Sequence, residues 1–366
     1  MRNDGREVLL LKGNEAIAHA AIRYGFDGMF GYPITPQSEI LETLAALKPW
    51  ETTGMVVLQS ESEVASINMV YGGGATGKCV MTSSSSVGIA LMQEGISYMA
   101  ACEIPGLIVS VQRGGPGLGT IQPSQSDYFQ AVYGGGNGDY NTIVLAPYSV
   151  QEMADMVGLA KDLMMKWRNP VIILSDGAIG QMMEKCVLPP LNRDVRLSNK
   201  EIEQCYPWAI NGLGLKNRQR RYVSSVELDA NVMYMRNKKL QEKYRSIIDQ
   251  EVRYEEYLLD DAEVVVVAFG TSARIAMSAI NRLREEYGKK VGMLRPITLW
   301  PFPDNIIHEL AGRVRCILTV ELNEGQMVRD VRLAVEGQCK MEFLGTSGGV
   351  MLTPDDVFAS ISRLVP

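Results

Sequence analysis

The sequence predicts an α/β protein built on parallel sheets whose two faces are covered by helices. Short apolar runs such as Leu107–Val111 and Val264–Val267 alternate with stretches of helical period. The runs are apolar throughout, as strands buried on both faces are. A chain of 366 residues, 46% hydrophobic and 21% charged, is long enough for two such units, each with its own core.

A helix is expected from Asn14 to about Arg23, where Ala16, Ile17, Ala20 and Ile22 recur near helical spacing. The strand Gly28–Gly31 leads into the turn Tyr32-Pro33-Ile34-Thr35-Pro36. There Thr35 reads as an N-cap and Pro36 as the first residue of a helix reaching Leu47. Met55–Leu58 with helix Glu61–Gly72 repeats the unit, as does Cys79–Thr82 with helix Val87–Ala101. Ser83–Ser86 are expected to close the turn between that second strand and its helix. Leu107–Val111 with its glycine-rich loop follows, then Thr142–Leu145, a helix after Ser149, and Val171–Leu174.

Alternation stops near Cys186. The spacing of Leu240, Tyr244, Ile247, Ile248 and Val252 marks one face of a long connector helix, preceded by the basic run Arg218–Arg221. A second unit begins at Glu263, with strands at Val264–Val267, Val291–Leu294, Ile317–Val320 and Met341–Leu344. Its helices are expected after a cap at Thr271 or Ser272, and at Asp304–Leu310, Gln326–Val335 and Pro354–Leu364. The expected domains are 1–189, a charged connector 190–257, and 258–366.

Acidic residues outnumber basic ones, 42 to 36, so composition gives no support for binding nucleic acid or an anionic membrane. The six cysteines never approach C-x-x-C spacing and the two histidines lie far apart, so no metal or iron–sulfur site is expected here. Scattered cysteines, no signal-like apolar start and no membrane-length apolar run together predict a cytoplasmic location. Gly72–Lys78 imitates a phosphate-binding loop, but Cys79 replaces the hydroxyl residue and a helix precedes rather than follows it. Gly115–Gly119 imitates a dinucleotide fingerprint with its third glycine one residue early; a mobile loop over a site fits better.

Ligands of parallel sheets bind beyond the carboxyl ends of the strands. Three segments fall there: the Tyr32–Pro36 turn, Glu61–Ser66, and Arg113–Gly117. They bring a hydroxyl (Thr35), a carboxylate (Glu63) and a guanidinium (Arg113), suited to a heterocyclic cofactor and a small carboxylic acid. The same residues have plainer uses, as an N-cap, a helix-start carboxylate (which explains Glu61 well) and a surface ion pair.

The YPITP turn, Glu61–Asn68, Arg113-Gly114-Gly115-Pro116, Ala268–Ser272, Arg295–Pro303 and Val320–Asn323 resemble the alpha subunits of 2-oxoacid:ferredoxin oxidoreductases, across almost the whole chain. Loop Gly114–Gln125 most resembles the branched-chain (3-methyl-2-oxobutanoate) type. The resemblance implies a pyrimidine-binding domain of thiamine-diphosphate enzymes followed by a transketolase C-terminal-like domain. It implies oxidative decarboxylation of a 2-oxo acid to acyl-CoA, with coenzyme A as cosubstrate and electrons passed to ferredoxin. The diphosphate-binding Gly-Asp-Gly motif is missing, since Gly138-Asp139-Tyr140 breaks it. A beta subunit is therefore expected to supply the diphosphate half of the site with Mg2+. Gamma and ferredoxin-like delta subunits are expected to carry 4Fe–4S clusters.

By the same resemblance, Glu63 bonds the aminopyrimidine ring, Thr35 and Arg113 contact the substrate, and Gly114 and Gly115 begin its specificity loop. Ser83 and Ser86 are candidates for cofactor contact, after helix capping. The loop carries no extra cation for a second carboxylate. Pyruvate or 2-oxoglutarate as substrate, or a non-catalytic docking role, are the alternatives.

Overall fold

Every residue of Gly106–Gln112 and of Pro170–Asp176 is buried, because helices cover both faces of the sheet they centre. Leu107, Val109 and Val111 pack with helices Gly13–Arg23 and Val150–Trp167 on one face. Ile108 packs with helices Glu63–Ala75 and Ser86–Ala101 on the other, following the two-residue period of a strand.

The computed structural model describes residues 5–191, 196–210 and 221–365. Its strands begin with β1 (Glu7–Lys12), β2 (Gly28–Gly31), β3 (Val56–Gln59), β4 (Val80–Ser84), β5 (Gly106–Gln112), β6 (Ile143–Leu145), β7 (Pro170–Asp176) and β8 (Met183–Leu188). They continue with β9 (Tyr254–Tyr257), β10 (Val264–Val267), β11 (Val291–Pro296), β12 (Thr298–Trp300), β13 (Cys316–Glu321) and β14 (Lys340–Gly345). The first large sheet has the order β3-β2-β4-β5-β7-β6-β12, parallel except for β12. The second has the order β14-β13-β10-β11-β9, parallel except for the edge strand β9. β1 and β8 form a separate antiparallel ribbon.

One crossing joins the two sheets. β11 ends at Pro296 in the second sheet, and β12 starts two residues later as the edge of the first. Arg295, 2% exposed, fixes this crossing: its guanidinium donates to both Glu152 oxygens at 3.0 and 2.7 Å, to Glu255 at 2.7 Å, and stacks on Tyr148. A buried guanidinium needs such paired acceptors, and its planar fork supplies the geometry for them.

Several expectations are corrected. The helix expected to open at Pro36 is Ser38–Leu47, with Gln37 at its N-cap position; Thr35 lies exposed in the preceding turn and caps nothing. The turn closes through Gln37 N–H to Ile34 O, which moves the first helical carbonyl on to Gln37. The next helix starts at Glu63 rather than Glu61, so Glu63 is its first-turn acid and Glu61 lies outside it. β4 runs through Ser84, so Ser83 belongs to the strand and not to a turn.

Thr271 and Ser272 lie inside helix Gly270–Tyr287, whose N-cap residue is Phe269. Their hydroxyls go to Asp176 and to the Phe269 carbonyl. In the connector helix Ala230–Glu251, Leu240, Tyr244 and Ile247 are buried while Ile248 faces out. Of the basic run, residues 218–220 lie outside the described residues, and Arg221 pairs with Glu203.

Candidate functional site

Ser62 ends the loop after β3, and its hydroxyl accepts the Ala65 N–H at 3.2 Å, fixing Glu63 as the first helical residue. Glu63 is only 7% exposed. Its carboxylate lies against the bare backbone of Gly88: a Cβ built there would fall 2.6 Å from Glu63 Oε1 and 2.1 Å from Ser84 Oγ. Among the described residues nothing hydrogen-bonds to the Glu63 carboxylate, while Ser84 Oγ and Ser85 Oγ are buried without partners. Sheltered polar groups without partners are costly. The notch thus brings together the Glu63 carboxylate and the Ser84 hydroxyl, neither with a hydrogen-bond partner among the described residues. Beside it, Val64 and Leu91 are exposed, and so are Val56 and Leu58 on the edge strand β3.

Arg113 follows β5 and is buried. Its Nη1 donates to Thr35 O and its Nη2 to Leu118 O, both at 3.0 Å, while Nε has no partner. The guanidinium thus joins the YPITP turn to the glycine-rich loop, with Thr35 taking part through its carbonyl. Ser86, the first residue of its helix, holds the Arg113 backbone: its Oγ accepts Arg113 N–H at 3.0 Å and faces Arg113 O at 3.2 Å. Its hydroxyl also bonds Asp127. Burial pushes the Asp127 carboxyl up to about 6, against the Ser86 hydrogen bond and the Arg113 charge, which lower it.

The serines after Thr82 therefore link all three segments. Ser83 donates to Gln37 Oε1 at 2.6 Å, and Gln37 Nε2 holds Tyr32 O at 3.0 Å. Ser84 shares the notch with Glu63, and Ser86 grips Arg113. Ser83 is fully buried, and its hydroxyl is committed to Gln37. Ser86 lines the cavity described next.

The loop after Arg113 is closed at its base: Gly114 N–H bonds Gln122 O, and Thr120 N–H bonds Gly114 O. Gly119, at φ +59°, leaves no room for a side chain against Gly114 O. Gly114 itself packs on the backbone of Gly348 and Gly349. Gln125 ties the loop to the second sheet, bonding the backbone of Phe269 and Leu322. Glu321 and Asn323, from the Val320–Asn323 motif, brace that junction. The Glu321 carboxylate accepts the N–H groups of Met327 and Val328, and Asn323 Nδ2 bonds Gln125 O. Between the halves lies a cavity of about 530 Å³, lined by Ser86, Gly115, Asp127, Asn323, Glu324 and Gly348 among others.

Gly115 thus lines the cavity, while Gly114 packs behind it on Gly348 and Gly349. Sequence reasoning missed Gly88 and Asp127, and met Gln125 only as the end of the Gly114–Gln125 loop. Only Asp127 had a signal there, as an acid in the loop after a strand end. Among the described residues no group of three or more His, Cys, Asp or Glu is arranged to hold a metal ion. None of their helices is long and apolar enough to cross a membrane.

Comparison with known proteins follows the same lines. Residues 19–253 match the family described as pyruvate flavodoxin/ferredoxin oxidoreductase, thiamine diP-bdg. Residues 262–357 match pyruvate:ferredoxin oxidoreductase core domain II. The ketoisovalerate oxidoreductase subunit VorB of Methanothermobacter thermautotrophicus is 46% identical over 97% of both chains. The 2-oxoglutarate synthase subunit KorA of Methanothermobacter marburgensis is 34% identical over 97% of this chain and 98% of its own. The fold superposes on the 2-oxoglutarate:ferredoxin oxidoreductase of Magnetococcus marinus, solved with 2-oxoglutarate, coenzyme A and succinyl-CoA bound. The TM-score is 0.84 and the identity 26%, over 97% of this chain and 65% of that one. A split-gene transketolase shares the fold, with TM-score 0.59 over 96% of this chain and 97% of its own, at 14% identity. The chain belongs to the 2-oxoacid:ferredoxin oxidoreductases, as an alpha-type subunit.

Proposed function

We propose that this subunit supplies the aminopyrimidine half of a thiamine-diphosphate site in an enzyme converting 3-methyl-2-oxobutanoate and coenzyme A to acyl-CoA and CO2, with ferredoxin as electron acceptor. The observation that carries this is Glu63: a sheltered carboxylate making no hydrogen bond among the described residues, set in a glycine notch at the edge of an exposed apolar face. A heteroaromatic ring presenting an N–H fits that need, since the carboxylate only accepts and the notch has no side chain in the way. When bound, thiamine diphosphate supplies the electron sink for decarboxylating a 2-oxo acid. Glu63 would accept a hydrogen bond from the pyrimidine ring and hold the shared proton.

Arg113 spends one N–H of each Nη on a carbonyl, leaving the others for the substrate carboxylate beside Thr35. The chain lacks the Gly-Asp-Gly motif, so a beta subunit carrying the diphosphate half and Mg2+ would cover the Val64 and Leu91 face. Gamma and delta subunits would carry the 4Fe–4S clusters. The names of the VorB relatives support the branched substrate. So do the acids Asp127 and Glu324 in the cavity wall, which would repel a second carboxylate.

The more distant relatives favour 2-oxoglutarate as a second reading. Acyl-CoA formation by the assembled complex from 3-methyl-2-oxobutanoate, 2-oxoglutarate and pyruvate separates the two. Glu63→Gln in that complex is expected to lower turnover about 100-fold or more with assembly intact. Near-normal turnover would remove the role. Thiamine-diphosphate binding that survived Glu63→Ala would favour a docking subunit instead.

A further inference from the structure

A second cavity, of about 400 Å³, opens at the opposite end of the first sheet from Glu63 and Arg113. It lies by Glu103 and Arg168, where β5 and β7 begin, so the seven residues of β5, about 20 Å long, separate it from Arg113. Arg168 is its central group. The guanidinium stacks on Trp208 at 4.6 Å and its Nε donates to the Glu103 carbonyl at 3.1 Å. Among the described residues it makes no ion pair, although burial lowers its pKa.

The surrounding charges do not balance. Among the described residues Glu103 is the one carboxylate lining the cavity, and it already pairs with Lys239 at 2.7 Å and Lys243 at 3.7 Å. Arg221 and Arg236 also line it, each with its own partner, Glu203 and Glu227. Among the described residues that leaves Arg168 and Lys239 in the lining, and Lys243 beside it, against a single acid. Lys243 is pushed down to about 8, first by burial and then by the Arg168 and Lys239 charges, with Glu103 opposing. The helix end on which Arg168 sits contributes about half a negative charge, too little to offset the excess.

We propose that this cavity is a binding site for a small phosphate-bearing molecule, held by the Arg168 fork and Lys239 and distinct from the catalytic site. A planar guanidinium fixed by stacking and by one Nε bond turns its remaining donors toward a tetrahedral oxyanion. Lys239 adds a point charge, and the exposed ring of Tyr222 in the lining gives a surface on which a base can stack. The inference does not depend on the cofactor assignment.

The test is calorimetric titration of the assembled complex with AMP and with inorganic pyrophosphate at low salt. Saturable binding of either is expected, weakened about 10-fold or more in Arg168→Gln and several-fold in Lys239→Gln. Turnover without added phosphate compound should match the parent in both variants. No saturable binding up to about 10 mM, or equal binding by parent and both variants, would overturn the proposal.

Discussion

Gly88 and Glu63 occupy one another's space: the absence of a side chain at position 88 is what lets the Glu63 carboxylate lie where it does. Gly88 has no left-handed backbone to demand glycine, so the requirement is one of room. A helix interior would otherwise favour alanine by about 1 kcal/mol. Gly88→Ala should therefore push the carboxylate and Ser84 aside while the helix survives. We expect acyl-CoA formation by the complex to fall about 10-fold or more, with weaker thiamine-diphosphate binding. An alanine variant with parental turnover and cofactor affinity would mean that the carboxylate position does not matter.

Ser83 separates structural from cofactor roles. Its hydroxyl satisfies a fully buried Gln37 side chain that in turn holds the YPITP turn. Ser83→Ala leaves Gln37 Oε1 without that donor and should cost about 1–3 kcal/mol of stability. Apparent thiamine-diphosphate affinity should stay within about 3-fold of the parent. A large affinity loss with unchanged melting temperature would return Ser83 to the cofactor's contacts.

Arg113 ties two loops with two nitrogens, and lysine cannot reproduce that fork. In Arg113→Lys the carbonyls of Thr35 and Leu118 compete for one ammonium. The KM for the 2-oxo acid is expected to rise about 10-fold, with kcat changing less. An unchanged KM would leave Arg113 as a loop tie alone.

The elements that sequence resolved best are those whose signal is local. β10 is four valines in a row, and β5 and β7 are apolar throughout because both faces are covered. β12 is three residues long and pairs with β6 more than 150 residues away, so nothing near Thr298 announces it. The Thr35 cap failed similarly. Thr-Pro is a good local start signal, but the helix boundary is set by a turn whose Gln37 is fastened to Ser83, 46 residues on. Glu63 and Arg113 were legible as acid and cation at strand ends; Gly88, which shapes the site by lacking atoms, was not.

Asp127 makes a pH-dependent cost. Its carboxyl has a folded pKa of about 6 against an ordinary 3.8, chiefly through burial. Between those values the folded protein keeps a proton that the unfolded chain has released. Stability therefore falls as pH rises from about 4 to 6 and levels off above that range, a loss of about 3 kcal/mol from some two pKa steps. Asp127→Asn removes the charge and keeps an acceptor for Ser86. Thermal unfolding of the complex should show the variant more stable than the parent at pH 7.5, with the gain shrinking to nothing near pH 4. A gain of equal size at both pH values would mean that packing, not the buried charge, separates the two proteins. No gain at either would place Asp127 in water rather than at the cavity wall beside Ser86.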